Sequence, residues 1–427
     1  MYCGYAPTFM TFSITGGFGL SSNAVGDNKY HPHTYSLSDD LGLVRGTHQM
    51  SFGGSLTHGS HRQKADFVSA GTMTFNGQET GLGMGDFMVG KISTLVQGTP
   101  NDKLTVTQYL LSMYATDTWK ARPKLTVNYG LRWEPFLGQV MGQGSVENFD
   151  ENRLYQGIKS TVFKNAPAGW YFPGDPGFPG DKGTRTRWPQ FAPRLGLAWD
   201  VRGDGRTSVR ASYAYSYNFV NGQWREDTVG SAPWGNRTSL QSVPLEDPWR
   251  DFPGGNPFPL SYGPDARFSA YSNMQSMPFD VRTPATSSWN LSIQRQIATD
   301  WLLSASYLGT ETAHIWSQKP INPAIYFPGG PCTLGGVIYN TCSTTANTNQ
   351  RRRFSIERPQ DGQFMAYVSD TDDGSNMSYN GMLLSIERHA ARGLTFNANY
   401  TWSHCDTSMN GFHRWCWIID WAHQHVK

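Results

Sequence analysis

The stretch LTVNYGLRWE, residues 125–134, alternates apolar and polar side chains along its whole length. Its apolar side is Leu125, Val127, Tyr129, Leu131 and Trp133, and its polar side is Thr126, Asn128, Gly130, Arg132 and Glu134. A period of two is that of a β-strand, in which successive side chains point to opposite faces. About ten residues is the length that a tilted strand needs to cross the hydrocarbon core of a bilayer. The stretch therefore predicts a strand that faces lipid on one side and a wet lumen on the other.

The same alternation recurs in FAPRLGLAWDV at 191–201, in SVRASYAYSYNF at 208–219 and in GLTFNANYTWS at 393–403. Short turn signals between apolar-polar runs predict five hairpins, with turns at 45–48, 120–124, 203–205, 298–300 and 390–393. The clearest signal is Asp204-Gly205, because Asp-Gly readily adopts the positive φ of a tight hairpin. The chain is therefore predicted to be an all-β, antiparallel sheet.

Three connections, at about 135–190, 220–286 and 309–378, are far longer than the loops of a compact soluble domain. They are rich in aromatic residues, Pro and Gly. Short reversals on one side and long loops on the other are typical of a transmembrane β-barrel of the outer membrane. Two interpretations of the long loops stay open: their aromatic residues stack on a sugar, a haem-like plane or peptide side chains, or the loops pack on one another as a lid.

Composition agrees with a barrel and excludes several other classes. Hydrophobic residues make up only 38% of 427 residues, whereas aromatic residues reach 14%, and no run approaches the 18 apolar residues of a membrane helix. The formal charge is +2, with 35 basic and 33 acidic residues mixed along the chain, so no basic field indicates nucleic acid. Cys332 and Cys342 flank a Gly-rich turn and are either a small disulfide ring or two free thiols.

Longer segments resemble the barrel of TonB-dependent receptors, and most of all the Oar-like group that carries a carboxypeptidase-regulatory-type domain. YATDTWKARPKLTVNYGLRWEPF, at 114–136, resembles the recurrent hairpin of that family. QFAPRLGLAWDVRGDGRTSVRASYAYSYN, at 190–218, is similar to its next hairpin, and SSWNLSIQRQIATDWLLSASYLGTETAHIW, at 287–316, is similar to the one that follows. The resemblance covers about residues 30–408 in the order of the family.

The resemblance implies a partial barrel, with about 10–12 of about 22 strands and long extracellular loops. It assigns residues 1–408 to this partial receptor barrel and leaves 409–427, where the alternation breaks, as an aberrant or truncated tail. The plug domain and TonB box of the family, and a secretory signal peptide, are not found in the sequence. We therefore expect the chain to be incomplete at both ends.

Other chemical motifs are weak. Asp370, Asp372, Asp373 and Asn376 resemble a calcium loop, but Gly374 stands where an oxygen ligand belongs, so a solvated acidic turn is favoured. The histidines and cysteines near the end of the chain match no common zinc spacing. No catalytic triad or carboxylate pair stands out, so we predict no enzyme, no metal site and no cofactor.

The resemblance implies an outer-membrane receptor and transporter that binds a ligand at its extracellular loops and moves it across the outer membrane. Its expected partners are outer-membrane lipid, an unidentified ligand and the TonB complex, acting through a plug missing from this chain. Lumen-facing polar residues would contact plug or solute, or pair charges across strands; the candidates are Arg132, Glu134, Arg194, Asp200 and Arg210. Two alternatives remain: a secreted β-rich carbohydrate-binding or adhesion protein with its apolar strand faces packed on a second sheet, and a passive porin.

Overall fold

The structure is a computed structural model that describes residues 10–20, 29–66, 68–258, 260, 263–391, 394–409 and 412–423. The strands are β1 (Thr11–Ile14), β2 (Gly19–Leu20), β3 (Lys29–Arg45), β4 (His48–Asp66), β5 (Thr72–Phe75), β6 (Lys91–Gly98), β7 (Pro100–Arg122), β8 (Leu125–Trp133), β9 (Val140–Met141), β10 (Asn148–Phe149), β11 (Trp170–Tyr171), β12 (Phe191–Asp200), β13 (Thr207–Tyr217), β14 (Arg237–Pro244), β15 (Ser272–Ser276), β16 (Ala285–Ala298), β17 (Trp301–Pro320), β18 (Cys332–Leu334), β19 (Val337–Tyr339), β20 (Met365–Ala391), β21 (Leu394–Met409) and β22 (Phe412–His423).

Helices are few and short. They are α1 (Gly83–Met88), α2 (Glu151–Gln156), α3 (Gln223–Glu226), α4 (Arg353–Glu357) and α5 (Pro359–Gly362), with 3-10 turns at Gly142–Gly144 and Asp227–Gly230. In the described part of the chain, every helix is too short or too polar to span a bilayer.

Long strands pair one after another in an antiparallel sheet that we call the meander. Its order is β3, β4, β7, β8, β12, β13, β16, β17, β20, β21 and β22. The register keeps like side chains together, since Leu195 lies opposite Tyr129 on one neighbouring strand and Tyr213 on the other. Apolar rows therefore run unbroken across several strands, as the alternation of the sequence predicts.

The strands of all five predicted hairpins pair, and the first four short turns lie at one edge of the meander. Residues 392–393 of the fifth predicted turn lie outside the described residues. In the turn between β12 and β13, the Asp200 carboxylate accepts hydrogen bonds from the backbone N–H groups of Gly203 and Gly205, at 2.8 and 3.0 Å. Both glycines have positive φ, 77° and 70°, a conformation in which a side chain would be strained. This turn therefore requires both glycines and the carboxylate.

Several strands are longer than the sequence predicts. β17 continues to Pro320 and β20 begins at Met365, so the connection predicted at 309–378 is reduced to 321–364. Residues 412–423, predicted as a tail without alternation, form β22 and pair with β21. Pairing of this kind depends on backbone hydrogen bonds, which form whatever the side chains are. Between β17 and β20, register shifts after Thr312 accommodate a segment in which the apolar-polar alternation is interrupted.

The two faces of the meander have opposite chemistry. On the apolar face Leu37, Leu195 and Tyr129 are 74%, 57% and 43% exposed. The other face carries cross-strand hydrogen bonds between small polar side chains, such as that from Ser306 to Ser292 at 2.9 Å. The apolar strand residues are thus not the core of the described chain.

The buried core lies in the connections opposite the short turns, which we call the loop layer: the described residues of 10–20, 68–99, 135–190, 218–284 and 321–364. One cluster joins three of these segments through Leu154, Phe163, Ala166, Ala168, Trp170, Phe172, Ala232, Ala266, Phe268, Met274 and Phe354, with Met365 and Val368 of β20. A second joins three segments through Ile14, Met73, Phe75, Ile92, Leu95, Leu240, Trp249, Phe252, Phe258 and Ala270. The long loops therefore pack on one another, as one of the two interpretations of them expects.

A small sheet inside the loop layer connects it to the meander. β1 lies parallel to β5, and β5, β6, β14 and β15 follow as antiparallel neighbours. β15 then lies parallel to the first residues of β20. The loop layer is thus hydrogen-bonded to the long sheet that carries it.

Candidate functional site

Arg132 is held by side chains of its own strand end and of the neighbouring strand. It lies near the loop-side end of β8, where its Nε donates to Glu134 Oε2 at 2.8 Å and its Nη2 donates to Ser112 Oγ at 2.9 Å. Ser112 in turn is hydrogen-bonded to Ser55 of the next strand, at 2.8 Å. These contacts fix the guanidinium on the polar face, because its two partners lie on β7 and just after β8, and the partner on β7 is held in turn by β4.

A cavity of 290 Å³ opens beside this pair, where the meander meets the loop layer. Besides Arg132 and Glu134, its polar lining is Ser55, Thr57, Gln108, Ser112, Gln190, Asn218 and Thr283, and its apolar lining includes Phe136, Leu137, Phe219 and Val220. This volume is near the lower end of the range for small-molecule sites. The cavity can therefore hold a small solute or one part of a larger one.

The charges of the cavity cancel within it. Arg132 and Glu134 are the charged residues of the lining and they form a salt bridge with each other. The amide of Gln190 is already engaged, since its Nε2 donates to Thr283 Oγ1 at 2.8 Å. Phe219 is 70% exposed and offers an open aromatic face. The site is chemically suited to hydrogen bonding and ring stacking more than to capture of a net charge.

The remaining predicted residues are not brought into this cavity. Arg194 and Arg210 are exposed and lie on the same face of the meander as Arg132, Arg194 opposite Gly130 and Arg210 opposite Ala198. Asp200 instead closes the turn after β12 and so belongs to the short-turn edge. The five candidates therefore separate into a paired site, two exposed cations and a turn residue.

Other sequence motifs also find places in the loop layer or beside it. Cys332 and Cys342 are joined as a disulfide, with their Cα atoms 5.5 Å apart. In the suspected calcium loop, Asp373 accepts two hydrogen bonds from the Arg282 guanidinium, each at 3.0 Å. The Asp373 carboxylate is thus paired with a cation of the protein itself.

A buried charged cluster of the loop layer was not predicted. Glu147 and Arg225 are fully buried there, and burial raises the pKa of Glu147 well above its usual value while it lowers the pKa of Arg225 to about 10. The neighbouring Glu226 bonds His61 of β4, with 2.9 Å between Oε1 and Nδ1. The sequence does contain an indication of this cluster, which is the charged run Arg225-Glu226-Asp227 inside an aromatic loop. Charged side chains are rarely buried unless partners face them, so such a run indicates charged partners in another segment.

Solved structures similar to this chain include the outer membrane transporter YddB from Escherichia coli, at 11% identity over 93% of this chain and 37% of that chain, with a TM-score of 0.46. The FrpB iron transporter from Neisseria meningitidis (F3-3 variant) is similar at 10% identity over 90% of this chain and 36% of that chain, with a TM-score of 0.41. The chain thus spans well under half the length of these structures. No curated protein matches it.

A comparison with protein families also covers most of the chain. A family model described as an outer membrane beta barrel domain matches residues 3–415. This match spans the meander and the loop layer together, and it agrees with the exposed apolar face of the strands. The chain therefore belongs to the outer membrane β-barrel domain family, and its location is the outer membrane.

Proposed function

We propose that this chain is the wall and outer loop layer of an outer-membrane receptor and transporter. The observation that supports this proposal is the division of apolar residues, which are buried in the loop layer but exposed along the strands. Lipid is the solvent that suits an exposed apolar sheet face, and a hydrated passage suits the opposite polar face. A ligand would meet the loop layer first and the polar face afterwards.

The cavity at Arg132 and Glu134 is the proposed first binding site on the polar face, because it lies where the loop layer meets that face. Its hydrogen-bonding side chains and the exposed ring of Phe219 would hold the ligand by polar contacts and stacking. Arg194 and Arg210 lie farther along the same face and would contact solute or plug.

The finer assignment follows the sequence resemblance. We propose that the receptor is of the TonB-dependent, Oar-like kind, so that energy would reach it through a plug that occupies the polar face. The hairpin at 114–136 carries this resemblance most clearly. The secreted adhesion alternative gains no support from the structure, because it needs a second sheet over residues such as Leu37 and Leu195, which are exposed.

A binding experiment tests the proposal. The chain is purified from outer membranes in detergent, and calorimetry measures its binding of maltotriose, trialanine and an iron–catecholate complex as three chemical classes of ligand. We expect one class to bind, and the double substitution Arg132→Ala/Glu134→Ala to weaken that binding at least tenfold.

Ser304→Ala is the matched control, because Ser304 bonds Ser385 on the same polar face but does not line the cavity. Binding that survives the double substitution would remove the cavity from the proposal. A chain found wholly in the soluble fraction, without heat-modifiable gel mobility, would reject the receptor itself.

A further inference from the structure

The short-turn edge of the meander carries a concentration of positive charge that the transport proposal does not use. It consists of six exposed side chains in or beside the first three turns, Arg45, Lys120, Arg122, Lys124, Arg202 and Arg206, which we call the basic rim. These turns connect β3 to β4, β7 to β8 and β12 to β13, which are successive hairpins of one sheet.

Hydrogen bonds join the three turns to one another. The backbone N–H of Lys120 donates to the carbonyl of Thr47 in the first turn, at 2.9 Å. Lys124 Nζ donates to the carbonyl of Arg202 in the third turn, at 2.8 Å. The basic rim is therefore one continuous surface and not three independent loops.

Carboxylates within the turns neutralise this surface only in part, through the electrostatic interaction of Asp200 with Lys124. Asp200 accepts hydrogen bonds from the backbone of Gly203 and Gly205, and Asp204 accepts one from the backbone of Arg206 at 2.9 Å. Within the described ranges, no cation of the basic rim forms a salt bridge. Six cations thus face two carboxylates that are already engaged in shaping the turn.

Elsewhere along the same edge, charges are paired. At the next turn, between β16 and β17, Arg388 Nε bonds Asp300 Oδ2 at 2.8 Å. In the described part of the chain, Arg388 beside the next turn is thus paired, whereas the six cations of the basic rim form no salt bridge.

The apolar face behind the basic rim carries exposed tryptophan side chains. Trp119 and Trp199 lie near the short-turn ends of β7 and β12 and are 38% and 43% exposed. Tryptophan at this position is typical of the boundary between lipid tails and headgroups. A ligand that meets both surfaces needs a negative headgroup and an apolar tail in one molecule.

We propose that the basic rim binds the headgroup of an anionic phospholipid in the leaflet that meets the short turns, with the acyl chains along the face of Trp119 and Trp199. The complementarity of charge and the continuity of the rim with the lipid-exposed face both favour this occupant. The proposal depends on the outer-membrane location of the family and is independent of the transport function proposed above.

Native mass spectrometry of the delipidated chain in detergent tests it, with phosphatidylglycerol and phosphatidylcholine added separately. We expect retention of phosphatidylglycerol in preference to phosphatidylcholine. The triple substitution Lys120→Gln/Arg122→Gln/Lys124→Gln should weaken retention by about fivefold for each charge removed. Unchanged far-UV circular dichroism shows that the variant is still folded, and Arg202→Gln/Arg206→Gln provides a second variant if it is not.

The control Lys159→Gln/Lys164→Gln/Arg250→Gln removes the same total charge from exposed positions of the loop layer and should retain the lipid. Inorganic phosphate is added as a competitor. The proposal would be overturned if the two lipids were retained equally, or if the control lost as much lipid retention as the triple substitution. Displacement of the lipid by millimolar phosphate would also overturn it, because the site would then recognise free phosphate.

Discussion

Replacing Leu195 with arginine tests whether lipid covers the apolar face of the meander. Leu195 lies midway along β12, is 57% exposed and is flanked in register by Tyr129 and Tyr213. In water such an exposed substitution changes the free energy of unfolding by about 0.5 kcal/mol or less. At the midplane of a bilayer, an arginine on a barrel strand costs about 2–4 kcal/mol. The folded-to-unfolded ratio should therefore fall on the order of 30-fold to 700-fold.

The assay is urea unfolding of the chain in phospholipid vesicles, followed by tryptophan fluorescence. Ser212→Arg is the matched control, because Ser212 is exposed on the polar face of the neighbouring strand, opposite Gly196. We expect the control to stay within about 0.5 kcal/mol of the unsubstituted chain. If the two arginine variants lose the same stability, the assignment of lipid to one face and water to the other is refuted.

Three further predictions concern the loop layer. Trp170→Ala removes a fully buried ring and should cost about 3–5 kcal/mol, seen as much faster proteolysis of the loops, whereas Trp188→Ala, at a 56% exposed residue, should have little effect. Because burial raises the pKa of Glu147, its contribution to stability is fully present below about pH 4.5 and is lost as pH rises through the pKa of the folded state. Amide hydrogen exchange of the loop layer, corrected for intrinsic rates, should therefore show less protection at pH 8 than at pH 5. More protection at pH 8 would contradict this reasoning. Cys332 and Cys342 should resist alkylation of the denatured chain until a reductant is added, and immediate labelling of both would exclude the disulfide.

The strands of the meander could be predicted because their signal is local. Alternation over residues 125–134 and the Asp204-Gly205 turn depend on neighbouring residues alone, and the structure has both. Arg132 and Glu134 could be named for a similar reason, since they continue the polar side of that strand. What could not be predicted is their enclosure by Gln190 and Phe219, which come from other segments of the chain.

Tertiary packing decides the parts of the fold and of the site that could not be predicted from the sequence. β15 is only five residues long, and its parallel pairing with β20 leaves no pattern in either segment. Glu147 and Arg225 become a buried cluster only because two distant loops fold together. The extension of β20 back to Met365 was missed because polar residues such as Asp370 and Asp372 interrupt the alternation that marks a strand.

The separation of the buried clusters from the strands gives this molecule two sources of cohesion. The loops are held together in the manner of an ordinary water-soluble globule, through rings such as Trp170 and Phe354. The sheet beneath them depends on hydrocarbon supplied from outside the polypeptide. Removal of the bilayer should therefore leave the loop layer with its tertiary packing intact while the meander becomes disordered. A single melting temperature would then describe neither the loop layer nor the meander.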